Sequence, residues 1–257
     1  MTSSPLENEI AVVTGAAGKL GSAWTNGLAE AGARVLAVDL VPASETHEAV
    51  LGCPADVTDR SSLERAADLC GARLGSPTIL VNAAGIDQPP APDATSRVLE
   101  DIPAEEFRRV LDVNLVGAFQ ATQVFGGAMA RAGRGSIVNI GSLYATIAPD
   151  PAMYDHLPLD PPFLKPPAYG ASKAGLLQLT RYLARLWGPA GVRVNMLSPG
   201  GILDDQDPTF RQKFEARTPL RRLGRADELI GALVFLASDA SSYVTGIELR
   251  VDGGFTA

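Results

Sequence analysis

Residues 10–39 read IAVVTGAAGKLGSAWTNGLAEAGARVLAVD. The β-branched run Ile10–Thr14 predicts a strand that ends in glycine. Leu20–Gly32 has helical character and closes on glycine, and Arg34–Asp39 predicts a second strand. Strand, glycine turn, helix, strand is the repeating unit of a parallel sheet. The rhythm continues along the chain. Ser61-Ser-Leu-Glu64 reads as a capping box opening a helix to about Leu74. Thr78–Asn82, Ser136–Ile140, Val192–Leu197 and Ile247–Val251 read as strands. Pro103 to about Arg131, Ala168–Trp187 and Asp227–Ser238 read as helices. Strands apolar on both faces and separated by helices predict an α/β fold. We expect a single Rossmann-like doubly wound parallel sheet of about seven strands with helices on both faces, one domain over residues 1–257. Ala148–Pro167 breaks the pattern: it holds seven prolines and no apolar period, and reads as a loop or excursion on the surface.

Composition narrows the function. The chain carries a formal net charge of -7 and shows no basic stripe with interleaved aromatics, which argues against nucleic acid as a partner. It has no run of eighteen or more apolar residues, so no membrane span is expected, and Met1–Glu9 does not read as a secretory signal. Cys53 and Cys70 make neither a disulfide framework nor a zinc site, and His47 and His156 are the only histidines. The expected compartment is the cytoplasm, with no metal.

The glycine turn carries chemistry. Gly15, Gly18 and Gly21 permit a tight turn, close backbone approach and close helix–strand packing, and the helix N-terminus then offers N–H groups to a pyrophosphate. Asp39 ends the second strand about twenty residues on, where a carboxylate would accept hydrogen bonds from an adenosine ribose. A carboxylate there repels a 2′-phosphate and favours NAD over NADP. Lys19, a cation in the glycine turn, pulls the other way.

Tyr169-Gly-Ala-Ser-Lys173 places a phenol and an ammonium on one helical face. A positive charge there is expected to lower the pKa of Tyr169, suiting it to proton exchange near neutral pH. Ser142 stands on an apolar strand before this pair, and Asn114 in a helix before that.

Together these residues resemble the short-chain dehydrogenase/reductase family, and the resemblance covers nearly the whole chain. Besides the glycine turn it rests on Asp56-Val57, like the pair beside the adenine, and on Asn82-Ala-Ala-Gly85, like the family's NAAG segment. It also rests on Asn114 in Val113-Asn-Leu, Ser142 after Val138-Asn-Ile-Gly, Tyr169 and Lys173 in YGASK, Asn195–Gly200 (NMLSPG), Ser241–Gly246 and Val251–Gly254. The resemblance implies an NAD(P)-dependent oxidoreductase moving a hydride between nicotinamide and a secondary alcohol or ketone. Tyr169 would be the general acid/base and Ser142 would hold the substrate oxygen. Lys173 would tune Tyr169 and bind the nicotinamide ribose, and Asn114 would hold a relay water. Gly15, Gly18, Lys19, Leu20, Gly21, Asp39, Asp56, Val57, Asn82, Ala83, Gly85, Pro199, Gly200 and Ile202 would line the cofactor with Tyr169 and Lys173. The family is usually tetrameric, through the two long helices and the last strand, which implies a homotetramer or homodimer.

Three departures stand out. Ser142 and Tyr169 are about twice as far apart as in most members. Tyr154 stands at the usual distance but has Pro158 four residues later, so catalysis is assigned to Tyr169 and residues from about 145 to 167 to an insertion at the substrate mouth. Met153, Tyr154, Asp155 and His156 would then help select the substrate, or form a mere surface excursion or subunit contact. The Gly-x-x-Gly-x-x-Gly spacing looks like the extended subgroup, although the chain ends at the seventh strand, as in classical members. Asp204 stands near the position of a threonine that touches the carboxamide, in an expected lid over about 202–218. Tyr144, Tyr154, His156 and Asp204 are the candidate substrate contacts. With Asp205, Gln206 and Asp207 in the lid, they suggest a polar, sugar-like substrate. The run also looks like a bacterial subgroup of cell-surface sugar biosynthesis, and the ending resembles sugar-acid and polyol dehydrogenases. Two alternatives stay open: a sugar-nucleotide epimerase or dehydratase using bound NAD catalytically, and a non-enzymatic NAD-sensing protein.

Overall fold

The computed structural model describes residues 4–41, 47–87 and 97–257. Seven parallel strands form one sheet in the order β3-β2-β1-β4-β5-β6-β7. They are β1 (Ile10–Thr14), β2 (Arg34–Asp39), β3 (Val50–Pro54), β4 (Ile79–Asn82), β5 (Gly135–Ile140), β6 (Val192–Pro199) and β7 (Glu248–Val251). Every residue of β1 and of β4 is buried, as expected for central strands covered on both faces. Strand β3 was not among the strands read from the sequence. Its run, VLGCP, is broken by Gly52 and Pro54, which an edge strand pairing only with β2 tolerates.

One face of the sheet packs on α1 (Lys19–Glu30) and α8 (Ile230–Ala237), with Trp24, Leu28, Leu233 and Leu236 fully buried. The other packs on α2 (Arg60–Arg73), a helical run over 104–132 and α6 (Pro167–Trp187), through Leu63, Phe125, Met129 and Leu183. The run over 104–132 comprises α3 (Ala104–Leu111), α4 (Ala118–Ala121) and α5 (Gly127–Ala132). They are joined without a break by π-helical turns at Asp112–Gly117 and Thr122–Gly126. Such turns often mark functional positions, and Asn114 lies in the first.

Two expectations are corrected. Helix α2 does not open on a box formed by Ser61 and Glu64. Asp59 is its N-cap and takes both the amide (2.9 Å) and the hydroxyl (2.8 Å) of Ser61, while Glu64 accepts from Arg60 (2.8 Å). The proline-rich stretch is also more than a surface excursion. Met153, Tyr154 and Phe163 are buried in a satellite cluster with Leu143, Leu223 and Phe214 of α7 (Pro208–Arg217). Tyr154 stacks on Phe210 with ring centroids 5.5 Å apart. Asp150 pairs with Arg217 (2.7 Å), and Lys213 pairs with Asp155 and donates to the Ala152 carbonyl (2.9 Å). Proline stiffens this segment locally, and its apolar side chains pack on one another and on distant residues such as Phe210, Phe214 and Leu223. A periodicity search cannot see such contacts.

The sheet order reverses direction between β1 and β4. A crevice opens at such a point, beyond the carboxyl ends of the strands, and here it lies between the turn after β1 and the segment after β4.

Candidate active site

Thr14, at the end of β1, ties the two lips of the crevice together. Its Oγ1 accepts from the amides of Ala83 (3.2 Å) and Ala84 (3.3 Å). Glycine is required beside it. Gly15 has φ +71°, and a Cβ there would lie 2.7 Å from Ala84, while a Cβ on Gly21 would fall 1.9 Å from the Gly15 carbonyl oxygen. Helix α1 begins after Gly18 with no side-chain cap, so its first N–H groups face the crevice. Asp39 closes the far side, accepting from the Ala17 amide (2.9 Å).

The crevice is a cleft of about 650 Å³. Gly15, Gly18, Lys19, Leu20 and Gly21 line one wall, Asp39, Asp56 and Val57 one end, and Ala83 and Gly85 the opposite lip. Pro199, Gly200 and Ile202 form the roof, and Ser142, Tyr169 and Lys173 the inner end. Two expected members do not reach the wall. Asn82 is buried in the sheet, donating to Thr122 (3.0 Å) and Asn139 (2.8 Å). Asn114 lies behind Ile86, accepting from its amide (2.8 Å) and donating to its carbonyl (3.0 Å) and to Ser172 (3.1 Å).

At the inner end, the N-terminal half of α6 presents Tyr169 and Lys173 beside Ser142, which follows β5. The Lys173 ammonium is buried, donates to the Ile140 carbonyl (2.9 Å) and stands 5.6 Å from the Tyr169 ring centroid. The expected lowering of the Tyr169 pKa is not found in the protein alone. Burial pushes the phenol well above its ordinary value and the Asp87 carboxylate adds to this, while the hydrogen bond from Ser142 opposes both. Burial drives Lys173 down to about 8, against the pull of Asp87. For both groups burial outweighs the charge effect that the i, i+4 spacing alone would produce.

A second chamber of about 680 Å³ opens from the same end and shares Ser142 and Tyr169. All four candidate substrate residues line it. Tyr144 meets the Tyr169 ring edge-on at 6.4 Å, and Tyr154 and His156 enter from the proline-rich segment. Nε2 of His156 is 2.9 Å from Asp207 but off the line of a hydrogen bond. Asp204, on the same wall, is ion-paired with Lys19. Met153 and Asp155 point elsewhere, into the satellite cluster and to Lys213. The wall is mixed rather than purely polar, because Leu143, Phe210, Phe214 and Leu223 also face the chamber.

The sequence reading missed Thr14, Asp87 and Lys165. Lys165 lies four residues before Tyr169, a spacing that could have drawn attention to it. Its ammonium is 2.6 Å from both Asp87 carboxylate oxygens and 5.4 Å from the Tyr169 ring centroid.

Comparison with known proteins agrees with this geometry. The model described as "short chain dehydrogenase" matches residues 9–154, and one described as "Enoyl-(Acyl carrier protein) reductase" matches residues 162–256. The chain belongs to the short-chain dehydrogenase family. A D-threitol dehydrogenase of Mycolicibacterium smegmatis is 36% identical over 98% of this chain and 94% of the relative. A short-chain dehydrogenase of Leptospira borgpetersenii, solved with bound NAD+, is 33% identical with a TM-score of 0.89, covering 100% of this chain and 96% of that one. A gluconate 5-dehydrogenase of Burkholderia cenocepacia, solved with NADP and tartrate, is 30% identical with a TM-score of 0.84, covering 99% and 97%.

This short-chain dehydrogenase is an NAD(P)-dependent oxidoreductase acting on CH–OH groups of small molecules. Its crevice fits a dinucleotide. The two crowded glycines leave room for a backbone-hugging ligand, the uncapped helix end suits a pyrophosphate, and a carboxylate waits at the end of β2. Among the described residues no cluster suited to a metal ion occurs, and no helix is long and apolar enough to cross a membrane.

Proposed function

We propose that the protein oxidises a secondary hydroxyl of a sugar alcohol with NAD. The observation that carries this is the chamber itself. Ser142 and Tyr169 stand at its inner end, and phenols, an imidazole and carboxylates line a wall that also has apolar faces. A carbon chain bearing hydroxyls presents both kinds of surface. The likeness to D-threitol dehydrogenase supports the class, and Asp39 in the crevice supports NAD, because a carboxylate there repels a 2′-phosphate.

NAD supplies the hydride acceptor when bound. The crevice residues would hold it, with Gly15, Gly18 and Gly21 under the pyrophosphate and Asp39 at the adenosine ribose. Ser142 would donate to the reacting oxygen and fix its position. Tyr169 would take the hydroxyl proton, and Lys173 would give the phenolate its counter-charge and bind the nicotinamide ribose. Asn114 would hold the π-helical turn against Ile86 and place a relay water behind Lys173.

The same reading treats the chain as one catalytic unit, with residues from about 145 to 167 and from 202 to 218 forming the substrate mouth. It acts in the cytoplasm, supported by the two free buried cysteines. It assembles as a homotetramer or homodimer, supported by exposed Val116 and Phe119 on the 104–132 run and Tyr182 and Leu186 on α6.

A panel of four- to six-carbon sugar alcohols, each with NAD and with NADP, tests the proposal by absorbance at 340 nm. Stoichiometric NADH formation with at least one of them is expected. Turnover of none of the panel with either cofactor would overturn it.

A further inference from the structure

The chamber's charges are arranged in pairs, and one pair sits beside the reacting centre. Lys165 is almost fully buried and contacts both oxygens of Asp87 at 2.6 Å. Its ammonium is also as close to the Tyr169 ring as that of Lys173. Asp87 is not sealed off: its side chain is 39% exposed and lines both the crevice and the chamber. A carboxylate oxygen accepts more than one hydrogen bond, so contact with Lys165 does not exhaust Asp87. The other described lysine on the chamber wall, Lys19, is paired with Asp204. Among the described residues, two ammonium groups therefore share the wall with four carboxylates, those of Asp87, Asp204, Asp205 and Asp207.

We propose that Asp87, held and neutralised by Lys165, is the specificity-determining acceptor for a substrate hydroxyl near the reacting carbon, so that the enzyme takes neutral polyols and turns away the corresponding sugar acids. This rests on the sugar-alcohol reading above. The physical reason is a difference in cost. A neutral hydroxyl donates to Asp87 without disturbing the pair. A substrate carboxylate must leave water for a wall of excess negative charge, with Lys165 already neutralised at contact distance. The two residues are 78 positions apart, and Lys165 comes from the proline-rich segment, so the segment between Ser142 and Tyr169 contributes directly to selection.

The test compares kcat/KM for C4–C6 polyols with that for the aldonate of each, with thermal unfolding to confirm folding. The wild type should prefer the polyol by at least about tenfold. Asp87→Asn should raise KM for the polyol by about tenfold or more, with a smaller change in kcat, because a carboxylate acceptor is lost. It should also raise kcat/KM for the aldonate, because the variant removes a negative charge at contact distance from the Lys165 ammonium. The double variant Asp87→Asn/Lys165→Met, which removes both charges of the pair, should lose the polyol preference without gaining the acid. If the wild type turns over aldonates as well as polyols, or if Asp87→Asn lowers both substrates in equal proportion, the acceptor role fails while the oxidoreductase reading stands. If neither polyol nor aldonate is oxidised, the sugar-alcohol reading fails and the acceptor role with it.

Discussion

Lys19 in the glycine turn is ion-paired with Asp204 in the segment after β6, 185 residues away. Both depart from the family pattern. Lys19 occupies the place of the middle glycine in a Gly-x-x-x-Gly-x-Gly turn, and Asp204 stands near that of a threonine. The structure makes them one feature, a bridge from the crevice wall to the segment after β6. Lys19 therefore has its charge engaged by Asp204, which supports the proposal that Asp39 favours NAD.

Because the bridge is exposed, it should matter little to stability and modestly to binding. Lys19→Ala and Asp204→Ala should each change KM for the dinucleotide within about fivefold, with the double variant no worse than the singles. In the wild type the same KM should drift with added salt, and in the variants it should not. Steady-state kinetics from low to high ionic strength would show this.

Asp39→Ala should shift the cofactor ratio. Removing the carboxylate takes away a repulsion that a 2′-phosphate would meet at close range, so kcat/KM with NADP relative to NAD should rise by about tenfold or more. The Ala17 amide loses its acceptor in this variant, so a small loss of thermal stability should accompany the change. An unchanged ratio would remove Asp39 from the specificity argument.

Tyr169→Phe should cut kcat by about a hundredfold to ten-thousandfold, the usual worth of a positioned acid/base. Dinucleotide affinity measured by calorimetry should stay near wild type. In the wild type the phenol is raised by burial and by Asp87. Oxidation, which needs Tyr169 to accept a proton, should therefore speed up as pH rises through the alkaline range, and reduction should fall.

Lys173→Met should abolish turnover yet stabilise the fold. Burial lowers this lysine to about 8 from its ordinary 10.5, so the folded state binds its proton less readily than the unfolded chain does. Below about pH 8 the wild type carries the whole penalty, up to about 3 kcal/mol. Between 8 and 10.5 the penalty fades, and above 10.5 it is gone. Unfolding curves at pH 7 and pH 10.5 should show a clear gain for the variant at the lower pH and almost none at the higher.

Local chemistry made much of this protein legible in advance. Gly15 and Gly21 announce a turn because only glycine survives contacts of 2.7 Å and 1.9 Å at those positions. Six strands and the long helices show in their apolar periods, and YGASK shows in its spacing. Strand β3 escaped because its partner, not its own residues, makes it a strand. The capping box was misread because Asp59, two residues before Ser61, takes the Ser61 amide first.

The sequence alone therefore pointed to the parallel sheet and the crevice through short-range spacing, and to Ser142, Tyr169 and Lys173 through the family resemblance. Tertiary structure alone decided the electrostatics and the substrate mouth. Lys165 meets Asp87, Lys19 meets Asp204, and Tyr154 stacks on Phe210 only because the chain ends of separate strands converge on one side of the sheet. Burial, which no spacing records, moved Tyr169 and Lys173 in directions opposite to those of a solvated pair.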